Sequence, residues 1–182
     1  DPVRGRIPVA VRVPAVGAAE AHRLVTDSGC STADVVVGYG PPADDVARVQ
    51  AVRDALGPSG SIRCDANGQW GIDDAVAAID TLERAAGGLQ YIEQPCATTE
   101  ELAAVRRRIG VPVAVDEALR NAPDPSALDL TDVADIAVLS FGPMGGVRRA
   151  LRIAEAIGLP CVVTSTGETS VGLAGGVALA GV

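Results

Sequence analysis

Ile62-Arg63-Cys64-Asp65-Ala66-Asn67-Gly68, Tyr91-Ile92-Glu93-Gln94-Pro95 and Val113-Ala114-Val115-Asp116-Glu117 decide how this chain folds. In each segment a short apolar run ends on an acid: Asp65, Glu93 and Asp116. The acids recur at intervals of 28 and 23 residues, about one strand plus one helix each. If the runs are consecutive parallel strands, the three carboxylates gather at one end of one sheet.

Outward from these segments the chain alternates strand and helix. Strands are expected at Ile7–Val13, Thr32–Val37, Ile62–Cys64, Leu89–Ile92, Val111–Val115, Asp135–Leu139 and Cys161–Ser165. Helices are expected at Ala18–Asp27, Pro42–Leu56, Gly71–Ala86, Thr98–Ile109, Gly146–Ile157 and Val171–Val182, with a short helix or turn at Asp124–Leu130. Thr98-x-x-Glu101 reads as a capping box, and Gly158 with Pro160 as a helix stop. Continuous apolar strands fit a parallel sheet covered on both faces. About seven βα units in one α/β domain spanning 1–182 predict a (β/α)8 barrel. The pattern stops before an eighth strand, so the barrel is expected to be incomplete, with unpaired closing edges at which a homo-oligomer is plausible.

Composition narrows the function classes. Hydrophobic residues make up 48% of the chain, yet no apolar run reaches the ~18 residues a bilayer requires. The first residues lack the zones of a signal peptide, and no initiator Met is present, as in a processed or excised piece. A net charge of −8 argues against a nucleic-acid partner, and Arg106-Arg107-Arg108 reads as a solvated helix face. Cys30, Cys64, Cys96 and Cys161 form no C-x-x-C pair, which fits a cytoplasmic protein with free thiols. His22 reads as a surface residue, so zinc chemistry lacks ligands.

In a barrel, the working face lies at the C-terminal ends of the strands. Asp65, Glu93 and Asp116 therefore form a candidate site for a hard divalent cation, Mg2+ or alternatively Mn2+, which takes a few carboxylates and keeps other positions for water or substrate oxygens. Without a cation, three nearby carboxylates would raise one another's pKa. Acids at strand ends also serve as helix caps; three in successive units, each followed by its own turn, favour the metal.

These residues resemble the magnesium-ligand segments of the enolase superfamily, in its muconate-lactonizing-type branch. Val138-Leu139-Ser140-Phe141-Gly142-Pro143-Met144-Gly145-Gly146, Ser165-x-x-Glu168-Thr169-Ser170-Val171-Gly172, Ile7-Pro8-Val9 and Val13-Pro14-Ala15-Val16 look most like the o-succinylbenzoate synthase family of actinobacterial type. The resemblance runs essentially from end to end. It implies a Mg2+-dependent dehydratase (a carbon-oxygen lyase) of menaquinone biosynthesis, acting on a small-molecule carboxylate. Such an enzyme abstracts a proton α to the carboxylate, stabilises the enediolate with Mg2+ and expels water. Pairing a Lys or His base with Mg2+ is the established chemistry of the superfamily rather than a deduction from this sequence. The resemblance also implies a separate N-terminal capping domain, which is expected to end about where residues 1–182 begin.

The departures are as informative. The family carries a Lys-x-Lys pair on its second barrel strand and a further lysine on the sixth. Here Asp34, Val36 and Ser140 stand at those positions, and the chain contains no lysine. A positioned base is worth ~10²–10⁴ in rate. The alternative reading is therefore a non-catalytic metal-binding barrel domain, or an engineered or split fragment of such an enzyme. Gly145 and Gly146 offer N–H groups that suit a substrate carboxylate or make a plain turn into a helix. Ser165 bonds substrate or its own loop. Glu168 and Ser170 read as helix-start residues, and Trp70 as packing.

Overall fold

The protein is described by a computed structural model covering residues 4–182. Seven strands form one parallel sheet: β1 Val11–Val13, β2 Thr32–Val36, β3 Ser61–Asp65, β4 Tyr91–Glu93, β5 Val113–Val115, β6 Ile136–Ser140 and β7 Cys161–Thr164. Their spatial order is their order in the chain. The helices are α1 Ala18–Ser28, α2 Pro42–Leu56, α3 Ile72–Ala86, α4 Thr99–Arg106, α5 Glu117–Arg120, α6 Val147–Ile157 and α7 Ser170–Ala180, with a 3-10 turn at Pro125–Ala127.

Side-chain alternation sorts the strands into two faces. Ala33, Val35, Ile62, Cys64 and Ile92 point outward and are fully buried in the main core, together with Val49, Val52 and Ile79 from the helices. Burying each large aliphatic side chain contributes roughly 1.5–3 kcal/mol. Tyr91, Ala114 and Val138, from the other face, form a small separate cluster with Ile136 and Val162. The sheet curls, so that residues preceding β1 and residues of α7 line one cavity, and the Arg4 N–H donates to the Gly181 carbonyl at 2.7 Å.

The seven βα units follow the expected order, and α2 has its expected bounds. The Thr98–Glu101 capping box forms in both directions. Among the described residues β1 and β7 each pair on one side only. The first strand is shorter than expected, Val11–Val13 rather than Ile7–Val13. Its partner β2 begins at Thr32, one residue before the position opposite Val11, so residues 7–9 have no β2 residue opposite them. The single turn α5 was not expected; four residues are too few to show a helical period. Arg107 and Arg108 are exposed as expected, Arg108 in a surface pair with Asp73, whereas Arg106 is partly buried against Asp135 at 2.7 Å.

Candidate functional site

Asp65 and Glu93 are the last residues of β3 and β4 and stand opposite each other in register. Asp116 follows β5 directly. All three are nearly buried, at 3%, 4% and 6% exposure. They line the same cavity, of about 680 Å³, with Arg12 of β1, Asp34 of β2, and Glu117 and Arg120 of α5.

The turns behind these acids explain their sequence. The Ala66 N–H donates to the Glu93 carbonyl at 3.0 Å, the Gly68 N–H to the Gln94 carbonyl at 2.6 Å, and the Trp70 N–H to the Pro95 carbonyl at 3.2 Å. The loop after β3 is thus laced to the loop after β4. Asn67 and Gly68 both have positive φ, 47° and 71°, a conformation favoured by Asn and Gly. A Cβ at Gly68 would also lie 3.3 Å from the Ala97 Cα. The Asn67 N–H donates to Asp65 Oδ1 at 2.9 Å, which orients the carboxylate.

Two arginines face this acidic end. Arg12 donates Nη1 to Asp34 Oδ2 at 2.6 Å and Nη2 to Asp65 Oδ2 at 2.7 Å. Arg120 donates Nε to Asp116 Oδ1 at 3.0 Å and Nη2 to Glu117 Oε1 at 2.6 Å. Burial alone would disfavour the Arg12 charge, but Asp34 and Asp65 more than offset it and raise its pKa. The Glu93 carboxylate takes part in no side-chain hydrogen bond among the described residues, although its backbone carbonyl accepts the Ala66 N–H. Burial, then the charges of Asp65, Asp34 and Asp116, push its carboxyl well above the ordinary carboxylate range. Burial likewise raises Asp34, Asp116 and Glu117.

The expected residues divide. Asp34, Asp65, Glu93, Asp116 and Ser165 line the cavity, whereas Val36, Ser140, Gly145 and Gly146 do not. Ser140 is wholly buried with an unpartnered hydroxyl. Gly146 caps α6 with φ 95°, and Gly145 lies in the turn before it. Ser170 opens α7, as expected. Trp70 is partly buried against the core. Arg12, Arg120, Glu117 and Gln94 were not anticipated. Arg12 had a visible signal, an arginine between Val11 and Val13, but its partners depend on register.

The donor set fits a hard dication in type: oxygen donors from Asp34, Asp65, Glu93, Asp116 and Glu117, with buried Asp34 Oδ1 and Glu117 Oε2 left without partners. As the side chains stand, no three His, Cys, Asp or Glu among the described residues are grouped to hold one ion. Asp65 and Asp116 are instead engaged by Arg12 and Arg120.

A family profile described as enolase C-terminal domain-like matches residues 17–182. The chain is 57% identical over 181 residues to the o-succinylbenzoate synthase of Thermobifida fusca (strain YX), covering 98% of this chain and 56% of that protein. It is 48% identical over 177 residues to the o-succinylbenzoate synthase of Mycolicibacterium smegmatis (strain ATCC 700084 / mc(2)155), covering 96% and 54%. The chain therefore spans about half the length of the curated relatives it matches. Among solved structures, the N-succinyl Arg/Lys racemase of Bacillus cereus ATCC 14579 superimposes with a TM-score of 0.83 at 26% identity, covering 98% of this chain and 51% of that one. With its parallel strand order and its acids at the strand ends, the chain belongs to the enolase C-terminal domain-like family of the enolase superfamily.

Proposed function

We propose that this chain is the barrel part of a Mg2+-dependent dehydratase of the o-succinylbenzoate synthase type, with greatly reduced turnover. The observation that carries the reading is Glu93, buried at the strand end between Asp65 and Asp116 with no cation bonded to its carboxylate, on the cavity that all three line. Asp65, Glu93 and Asp116 would hold Mg2+, or Mn2+ in its place. When bound, the ion supplies positive charge to a carboxylate as its α-proton leaves. The 57% identity to a named o-succinylbenzoate synthase supports the substrate class.

The proton transfer is where the chain is weak. Of Asp34, Val36 and Ser140, only Asp34 can accept a proton at an accessible pH. Burial makes its carboxylate more basic than usual, while the Arg12 ion pair works against that. Val36 has no proton chemistry, and the Ser140 hydroxyl lies off the cavity. Dehydration of the o-succinylbenzoate precursor, followed by ultraviolet absorbance, should be slow, Mg2+-dependent and abolished by Asp65→Ala. Val36 and Ser140 stand in register with the cavity-lining Asp65 and Thr164, so the longer side chains of the double variant Val36→Lys, Ser140→Lys should reach the cavity and raise turnover. Turnover unchanged by chelator would sink the reading.

A second reading, a non-catalytic metal-binding barrel domain, is favoured by the absence of any lysine. It predicts metal binding with no turnover even in the lysine double variant. Association of two copies through the outer edges of β1 and β7, each paired on one side only among the described residues, is a further proposal that light scattering across a concentration series would test.

A further inference from the structure

We propose that Arg12 is a built-in competitor of the divalent cation, held by Asp34 so that it can release Asp65 when an ion arrives. The proposal rests on the reading of Asp65, Glu93 and Asp116 as metal ligands.

The geometry behind it is a split guanidinium. Arg12 does not fork onto one carboxylate; Nη1 takes Asp34 and Nη2 takes Asp65. Arg12 and Asp34 are opposite each other on β1 and β2, so this pair is set by the sheet. Asp65 is reached across a further strand. Asp65 Oδ1 already accepts the Asn67 N–H, and Oδ2 is the atom that Arg12 occupies. An ion bound through Oδ2 would compete with Arg12 for that oxygen, and an ion bound through either oxygen would sit beside the guanidinium charge, which repels it.

Arg12 is also free to yield. Its side chain is 46% exposed, against 4% for Asp65, and it projects into the cavity rather than into packed core. Giving up the Asp65 contact leaves the Asp34 bond intact, so the guanidinium keeps a counter-charge. An anion at position 34 is what makes this exchange feasible: the arginine is parked by it, not expelled into the site.

Mg2+ and Mn2+ titration by calorimetry, on the whole chain, tests the idea without an activity assay. Arg12→Gln should bind either ion roughly ten-fold or more tightly than the parent chain, the size typical of groups that act on a metal ligand. Arg63→Gln is the charge control, since Arg63 lines the same cavity but bonds Gln90 and stacks on Tyr91 rather than engaging a carboxylate of the site. Equal tightening in Arg12→Gln and Arg63→Gln would reduce the effect to net charge and overturn the proposal. Binding lost in Asp65→Asn but unchanged in Arg12→Gln would overturn it while leaving the metal site standing. No binding by the parent chain, Arg12→Gln or Arg63→Gln would remove the metal reading itself. Should Arg12→Gln fail to fold, nitrogen-15 NMR of the parent chain decides: the Arg12 side-chain resonance must shift on saturation with Mg2+, and an unmoved resonance overturns the proposal.

Discussion

The side-chain carbonyl of Gln94 accepts the backbone N–H of Asp116 at 2.9 Å, and so ties the end of β4 to the acid that follows β5. The same oxygen accepts the Ala118 N–H at 3.2 Å, while Nε2 donates to the Cys96 carbonyl at 2.8 Å. Gln94 is fully buried and holds φ at 39°, an unusual value for a residue other than glycine. Its amide therefore satisfies three backbone groups, two of them buried, at the point where the Asp116 carboxylate is aimed.

Replacing Gln94 by Ala should be costly. Each buried group left without a partner costs ~1–3 kcal/mol, so a loss of roughly 2–4 kcal/mol is expected. For a domain of this size that lowers Tm by about 5 °C or more. Thermal unfolding followed by circular dichroism provides the check; a shift below 2 °C would refute the positioning role.

Glu93 should make the metal-free chain pH-sensitive. Its folded pKa is raised, first by burial and then by neighbouring carboxylates, so the ionised form is the one the fold disfavours. Stability is fully present below the ordinary carboxylate range, falls as pH rises through that range, and stops falling once pH passes the raised folded value. Glu93→Gln should remove this loss and raise Tm at neutral pH in chelator, while weakening Mg2+ binding. A parent and variant with parallel Tm–pH curves would contradict it.

A second buried charge pair supports β2 from behind. Arg48 bonds Asp45 at 2.6 Å, the Val36 carbonyl at 3.0 Å and the Val16 carbonyl at 2.6 Å, and Asp45 accepts the Gly38 N–H at 2.8 Å. Arg48→Met leaves Asp45 charged and unpaired in the interior, which costs about 3–5 kcal/mol. Urea unfolding should show the midpoint falling with little change in slope. A loss under 1 kcal/mol would mean that water reaches Asp45.

Asp135 contributes in the opposite pH direction. Burial pushes its carboxyl up, but the Arg106 guanidinium and the Val113 N–H more than offset this, and its pKa is lowered. Its stabilisation is present above the ordinary carboxylate range and is lost as pH falls through the lowered value. The pair is partly exposed, so the effect is modest and screened by salt. Arg106→Gln should flatten the acid limb of the stability curve, and an unchanged limb would count against the pair.

The seven-unit order, the strand-end position of Asp65, Glu93 and Asp116, and the helix caps at Thr98 and Gly158 were all readable from residue pattern. Each depends on residues near in sequence: alternation within a strand, a helical period, a turn residue with its special backbone angles. The shortened β1 was not readable, because its length is set by where β2 begins. Arg12, Arg120 and Gln94 escaped for a related reason. Each acts on a group fixed by another element, or by a turn too short to carry a period. An arginine between two valines says only that one face of a strand is polar; strand pairing selects Asp34 and Asp65 as its partners. Local chemistry thus brought three acids to one end of the sheet. Register and the curl of the sheet decided which cations meet them, since electrostatic partners are chosen by distance in space and not along the chain.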